Sequence, residues 1–294
     1  MEPTQRRDFL AFLATAAGLA GSALAQTPPD PQGGHHHSSS GQAATPPAAA
    51  ASKPVHDMGA FPPQWMGKEK IAMLLYPNFT ALDLVGPQYM LINLWGAKVH
   101  LVARTLEPVR SDTGITITPT MTLDQCPRDL DVLFVPGGSQ GTLEAMRDES
   151  LVRWLAEQGK RSKLVASVCT GSMLLGQAGL LRGKRATSHW VTHPLLGQFG
   201  ATAVNQRVVW DGNLVTGAGV SAGLDLGLEI VAKLRDPLYA QCVQLLAEYA
   251  PKPPYNAGTP ATAPLEATLM MGGMFEQLLV QMKETSASAL GARG

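Results

Sequence analysis

The sequence predicts an α/β domain, doubly wound around a mostly parallel central sheet. Short apolar runs alternate with longer stretches of helical periodicity. Several of those runs are apolar throughout, as strands covered on both faces are. They stop at Pro, Gly or small residues, and in such sheets ligands bind beyond the carboxyl ends of the strands. The span 66–255 is about the size of one such domain.

Ile71-Ala72-Met73-Leu74-Leu75-Tyr76 stops at Pro77 and suits a buried strand. Ala81 to Trp95 carries apolar residues at helical spacing, with Gly86-Pro87 in its first turns. Val99–Val102 is a second strand, and the β-branched run Ile115–Thr118 a small hairpin partner. Asp131–Val135 is a third central strand and ends in Pro136-Gly137-Gly138. Glu149–Arg161 is an amphipathic helix, Leu164–Val168 a fourth strand and Gly171–Leu181 a helix. Val208–Trp210 and Leu214–Thr216 flank Asp211-Gly212, a type I′ hairpin signal. Leu224–Leu234 is a helix; Asp236-Pro237 supplies an N-cap and a first-position proline for another, through Tyr249. In the extension 256–294, Leu269, Met270, Met274, Leu278 and Met282 predict an amphipathic helix over 265–283, packed on the domain or on a dimer mate.

Ahead of the domain, Arg6-Arg7 is followed by Phe9-Leu10, an apolar run and Ala23-Leu24-Ala25. That is the layout of a twin-arginine export signal over 1–25, cleaved after Ala25, and it places the mature protein in the periplasm. A short amphipathic helix or membrane anchor is the alternative, weakened by the Ala and Gly of the apolar run. Residues 26–65 shift to Pro, Ala, Gly, Ser and Gln, a disordered linker. His35-His36-His37 lies within it without a fixed ligand geometry, so no metal site is expected.

The 23 Lys+Arg balance 23 Asp+Glu, which argues against nucleic acid as a partner. No internal stretch is long and apolar enough for stable membrane insertion. Three cysteines are too few for a disulfide framework. Export makes a Cys126–Cys242 bridge conceivable, but the sequence does not bring them together.

Three strand ends carry chemistry. In Ala166-Ser167-Val168-Cys169-Thr170-Gly171-Ser172 an apolar strand runs into one cysteine and then a helix, the layout of a nucleophile elbow. The helix N-terminus favours a thiolate there. A buried structural cysteine is the competing reading. Gly137 and Gly138 leave backbone N–H groups bare, which with Thr170 N–H could form an oxyanion hole, or simply turn the chain. Asp83 sits among apolar residues after the first strand, as an acid of raised pKa or as a helix N-cap. His189, in Thr187-Ser188-His189-Trp190, is a ligand contact or base, or else a structural histidine; His193, before Pro194, has less to recommend it.

Together these stretches resemble the PfpI superfamily, related to class I glutamine amidotransferases and to the Parkinsonism-associated protein deglycase. ALDLVGPQ, DLDVLFVPGGSQGT, ASVCTGSMLLGQAGLLRGKRATSHW, DGNLVTGAGVSAGLDLGLEIVAKL and EYAPKPPYNAGTP carry the resemblance, which is similar to the isonitrile hydratase branch. It implies a flavodoxin-like sandwich, usually a homodimer, acting on a small molecule without a cofactor. It implies Cys169 as nucleophile, Asp83 as its acid, Thr170 as the neighbouring hydroxyl and the Gly138 and Thr170 backbones as oxyanion donors. Protease-like members carry a histidine directly after the cysteine; here Thr170 stands there, so peptide hydrolysis lacks its base. The resting pair is expected as Cys169 thiolate with protonated Asp83. A small-molecule-binding or redox-sensing module, and glyoxalase- or deglycase-type chemistry, remain the alternatives.

Overall fold

A computed structural model describes residues 61–291. The export signal over 1–25, the His35–His37 tract and residues 26–60 of the expected linker lie outside the described residues.

The strands are β1 Lys70–Leu74, β2 Lys98–Ala103, β3 Val109–Arg110, β4 Thr116–Ile117, β5 Met121–Thr122, β6 Val132–Val135, β7 Leu164–Val168, β8 Arg185–Ala186, β9 Thr202–Ala203, β10 Val208–Asp211 and β11 Leu214–Gly217. The helices are α1 Ala81–Ile92, α2 Gln140–Arg147, α3 Glu149–Arg161, α4 Gly171–Gln177, α5 Ala222–Leu234, α6 Pro237–Leu246 and α7 Leu265–Gly291. Among the described residues a seven-stranded sheet runs in the order β10-β11-β7-β6-β1-β2-β5. All neighbours are parallel except the β10–β11 hairpin at one edge. This is the flavodoxin-like α/β architecture expected.

β6 and β7 are buried at every residue because helices cover both faces of the sheet. β1, β6 and β7 lie side by side, so the loops after them open at one end of the sheet, next to each other. Those loops, with the first turns of the helices after them, hold Asn78 to Asp83, Pro136 to Ser139, and Cys169 to Gly171.

Several expectations need correction. The helix from Ala81 stops at Ile92, not Trp95. Asn93 Nδ2 donates to Tyr89 O, and Gly96 at φ 80° turns the chain toward β2. The helix after β7 runs only to Gln177. In the β10–β11 turn Gly212 has φ 62° while Asn213 is not left-handed, the pattern of a type II′ turn and not of I′. Residues 63–65, assigned to the linker, form a 3-10 helix whose Trp65 is buried. Its ring packs against Trp95 and Tyr239, and its indole N–H donates to Asp236. Apolar area removed from water holds this segment to the domain. Short helix α2 follows the Pro136-Gly137-Gly138 turn, and α7 runs to Gly291, with Met282 fully buried. Cys126, Cys169 and Cys242 are all free thiols, so Cys126 and Cys242 form no bridge.

Candidate active site

The backbone of Cys169 is left-handed, at φ 59°. For a residue with a Cβ that is a strained conformation and persists only where the surroundings enforce it. They do so at both ends. Cys169 N–H donates to Gly217 O at 3.1 Å and Ala218 O at 2.7 Å. Its carbonyl accepts from the Ser172 and Ser188 hydroxyls at 3.1 and 3.2 Å. The sharp turn presents the thiol at the strand end, as an elbow does.

Asp83 reaches the same place from α1. It lies in the first turn but does not cap the helix: its side chain is fully buried, and Oδ2 accepts from Gly137 N–H at 3.0 Å. Asp112, on the β3–β4 hairpin, serves that helix end instead, accepting from Ala81 N–H at 3.2 Å and from the Thr80 hydroxyl at 2.8 Å. Pro87 has no N–H to offer the Asp83 carbonyl one turn back, so α1 is loosened where the acid sits. Asp83 Oδ1 has no conventional hydrogen bond of good geometry, and the Cys169 thiol is the polar side chain bearing on the carboxyl.

Gly137 is where the three loops converge. A Cβ there would lie 2.6 Å from Thr170 Oγ1 and 2.7 Å from Asp83 Oδ2, so only glycine lets carboxyl, threonine and backbone meet. Gly138 N–H, expected among the oxyanion donors, is engaged at 3.0 Å by Thr170 Oγ1. The Thr170 backbone N–H pulls the Cys169 pKa down, against the effect of burial.

Burial sets the protonation of the pair. It pushes the Asp83 carboxyl up from 3.8 to about 7, with the bonds from Cys169 and Gly137 pulling back and Asp112 adding to the rise. Burial, and then the neighbouring Asp83, push the Cys169 thiol well above its ordinary value. Burial thus opposes charge on both members of the pair, and the charge on each opposes ionisation of the other.

His189 is half-buried on the loop after β8, and burial lowers its pKa. Its Nδ1 accepts from Val191 N–H at 3.4 Å, and its ring lies 6.0 Å from that of Phe275 on α7. The neighbouring Ser188, not the imidazole, touches the Cys169 backbone. His193 opens a 3-10 helix, His193–Phe199, and its buried Nε2 has no hydrogen-bond partner. Among the described residues no cluster of His, Cys, Asp and Glu could hold a metal ion. Sequence reasoning missed Tyr76, Asp112 and Thr142. Asp112 stands in a Ser-Asp-Thr-Gly turn, a capping signal of its own; Tyr76 and Thr142 had no signal beyond nearness to the glycines.

Fold and site together define a doubly wound α/β domain built around a cysteine elbow. The chain belongs to the DJ-1/PfpI family, whose sequence profile matches residues 69–233. It is 49% identical over 195 residues to isonitrile hydratase from Pseudomonas putida, covering 66% of this chain and 85% of that protein. A crystal structure of a THiJ/PfpI family protein from Pseudomonas syringae superposes with a TM-score of 0.76 at 48% identity, over 80% of this chain and 98% of that one. Drosophila melanogaster DJ-1beta superposes with a TM-score of 0.57 at 26% identity, over 63% of this chain and all of its own.

Proposed function

We propose that the protein is an isonitrile hydratase-like enzyme that adds water to an isonitrile and releases an N-substituted formamide. The observation that carries this reading is the meeting of a strained, buried Cys169 with an Asp83 carboxyl held near pH 7. The similarity to isonitrile hydratase supports it.

A carboxyl titrating near the working pH can both accept and return a proton. Ionised Asp83 takes the Cys169 proton as sulfur adds to the terminal isonitrile carbon, then delivers it to that carbon. The product is a thioimidate, and Asp83 is ionised again. It deprotonates water as the water attacks, and the proton passes to nitrogen. The C–S bond then breaks, the hydroxyl proton returns through Asp83 to the sulfur, and the formamide leaves. Thr170 N–H steadies the sulfur as charge builds on it. Gly138 N–H can join as an oxyanion donor once Thr170 releases it. Asp83, not His189, is assigned the proton transfers, because the carboxyl and not the imidazole meets Cys169 at the Gly137 turn.

Turnover of an alkyl isonitrile panel by purified protein tests the reading. Loss of turnover in Cys169→Ala, and a fall of at least about a hundredfold in Asp83→Asn, are expected. No turnover by wild type, with Cys169 instead oxidised to a sulfinic acid, would favour the sensing alternative. Unchanged turnover in Asp83→Asn would move the acid elsewhere.

We infer export as well, from Arg6-Arg7 and Ala23-Leu24-Ala25. Lys in place of both arginines is expected to strand the protein in the cytoplasm; unchanged periplasmic recovery would refute the twin-arginine reading. The working form is proposed to be a homodimer, because α1 leaves Leu82, Val85, Tyr89 and Ile92 exposed along one face. Among the described residues no helix is long and apolar enough to cross a membrane.

A further inference from the structure

The surroundings of Cys169 are closed on the polar side and more open on another. Asp83, Gly137, Gly138, Thr170 and Ser188 are buried. Ala218, Gly219 and Val220, which follow β11, are only half-buried. Cys169 N–H donates to Ala218 O at 2.7 Å, so this stretch adjoins the elbow. His189 stands beside it: a Cβ on Gly219 would lie 3.6 Å from the His189 ring. Phe275 follows, half-buried, with its ring 6.0 Å from the imidazole. Gly219, His189 and Phe275 thus lead outward from the cysteine through backbone and aromatic faces.

Phe275 is held there by the rest of α7. Two turns further along, on the same face, Met282 is fully buried. Beyond it Ser286 donates to Gln198 Oε1 at 2.5 Å. Ahead of Phe275 the helix is not packed down: a Cβ on Gly272, one turn earlier, would meet nothing within 4 Å. The anchored helix therefore carries an aromatic ring beside space that protein atoms do not fill. An isonitrile is linear through its C–N–C axis, so the substituent extends away from the sulfur once the terminal carbon meets Cys169. We propose that Phe275 is a specificity-determining residue: with His189 it forms the outer wall against which that substituent packs, and it limits the substituent's bulk. The substrate class is then isonitriles with slim or flat apolar substituents, linear alkyl or aryl, ahead of branched or cyclic aliphatic ones. The wall comes from α7, outside the 69–233 span that carries the family profile. The proposal rests on the reading of Cys169 as the group that meets the isonitrile carbon.

The test compares thiol reagents that differ in what trails behind the reacting carbon. N-cyclohexylmaleimide is bulky and iodoacetamide is small. Labelling of Cys169 in the full-length protein is followed by peptide mass spectrometry, which separates it from Cys126 and Cys242. Phe275→Ala is expected to raise the ratio of the maleimide rate to the iodoacetamide rate about tenfold, the low end of what pocket size discriminates. Phe275→Trp is expected to lower it. Glu276→Ala, exposed on the same helix, should keep the wild-type ratio. Neither reagent is an isonitrile, so this result stands apart from the hydration assay. In that assay Phe275→Ala should raise kcat/KM for cyclohexyl isonitrile relative to n-butyl isonitrile by a similar factor. An unchanged reagent ratio in Phe275→Ala, an equal rise in Glu276→Ala, or a reagent ratio that rises while the isonitrile preference stays put overturns the proposal. Should Phe275→Ala fail to fold, an unchanged or raised ratio in Phe275→Trp overturns it alone. Absence of turnover of both isonitriles by wild type counts against the hydratase reading instead.

Discussion

Asp83 binds its proton more tightly in the folded protein than in the unfolded chain, with the midpoint raised from 3.8 to about 7 by burial. Between those values the native state carries a proton the unfolded state has released. The associated stability is fully present below about 4 and is lost as pH rises through about 7. Wild type is therefore expected to lose stability relative to Asp83→Asn across that window in urea unfolding measured at several pH values; parallel curves would mean the carboxyl is not buried as described. At this scale much of the site was legible. A lone cysteine between an apolar strand and small residues has the layout of a nucleophile elbow, and an acid among leucines is a candidate for a raised pKa. What could not be read was who bonds to whom. The Gly138 N–H looked bare because a sequence does not show that Thr170 folds back onto it, and the burial that raises both Asp83 and Cys169 is a property of the packed interior.

Elements were legible where local chemistry agrees with tertiary packing. α3 begins after Asp148, whose Oδ1 accepts from Ser150 N–H and Leu151 N–H, each at 3.1 Å, and its apolar stripe faces the sheet. α6 follows Asp236, which accepts from Tyr239 N–H at 2.8 Å, with Pro237 at its first position. α2 escaped notice because its eight residues are mostly polar or small and its place is set by the glycine turn before it. That turn supplies a test. Gly137→Ala would force a methyl against Thr170 and Asp83, and the overpacking is expected to destabilise the fold by about 1–3 kcal/mol while lowering turnover. Chemical denaturation checks the first effect and the isonitrile assay the second; an alanine variant as stable and active as wild type would show that the loops do not close on one another here.

On the scale of the whole molecule the domain's limits were the hardest to read. Trp65 sits in a stretch whose composition resembles a linker, yet its burial against Trp95 and Tyr239 makes it part of the core. Arg235, bonded to Glu69 at 2.5 and 2.8 Å and to the Trp65 carbonyl at 2.9 Å, ties the same corner. A single aromatic does not produce a periodic pattern, so composition outweighed it. The helical spacing of the tail did disclose α7, and its packing gives another expectation. Met282→Ala should cost about 2–5 kcal/mol, the range for a fully buried methionine; a change within error in thermal or urea unfolding would mean that α7 is only loosely applied. The sheet's two margins have a consequence for the protein at high concentration. β5 has two residues, and β10 has four, with Asp211 fastened to the Arg185 N–H at 2.7 Å. A foreign chain seeking a bare ladder to extend finds little length on either side. Growth of fibrils by strand addition is thus denied a template, and partners must be met through helices and loops.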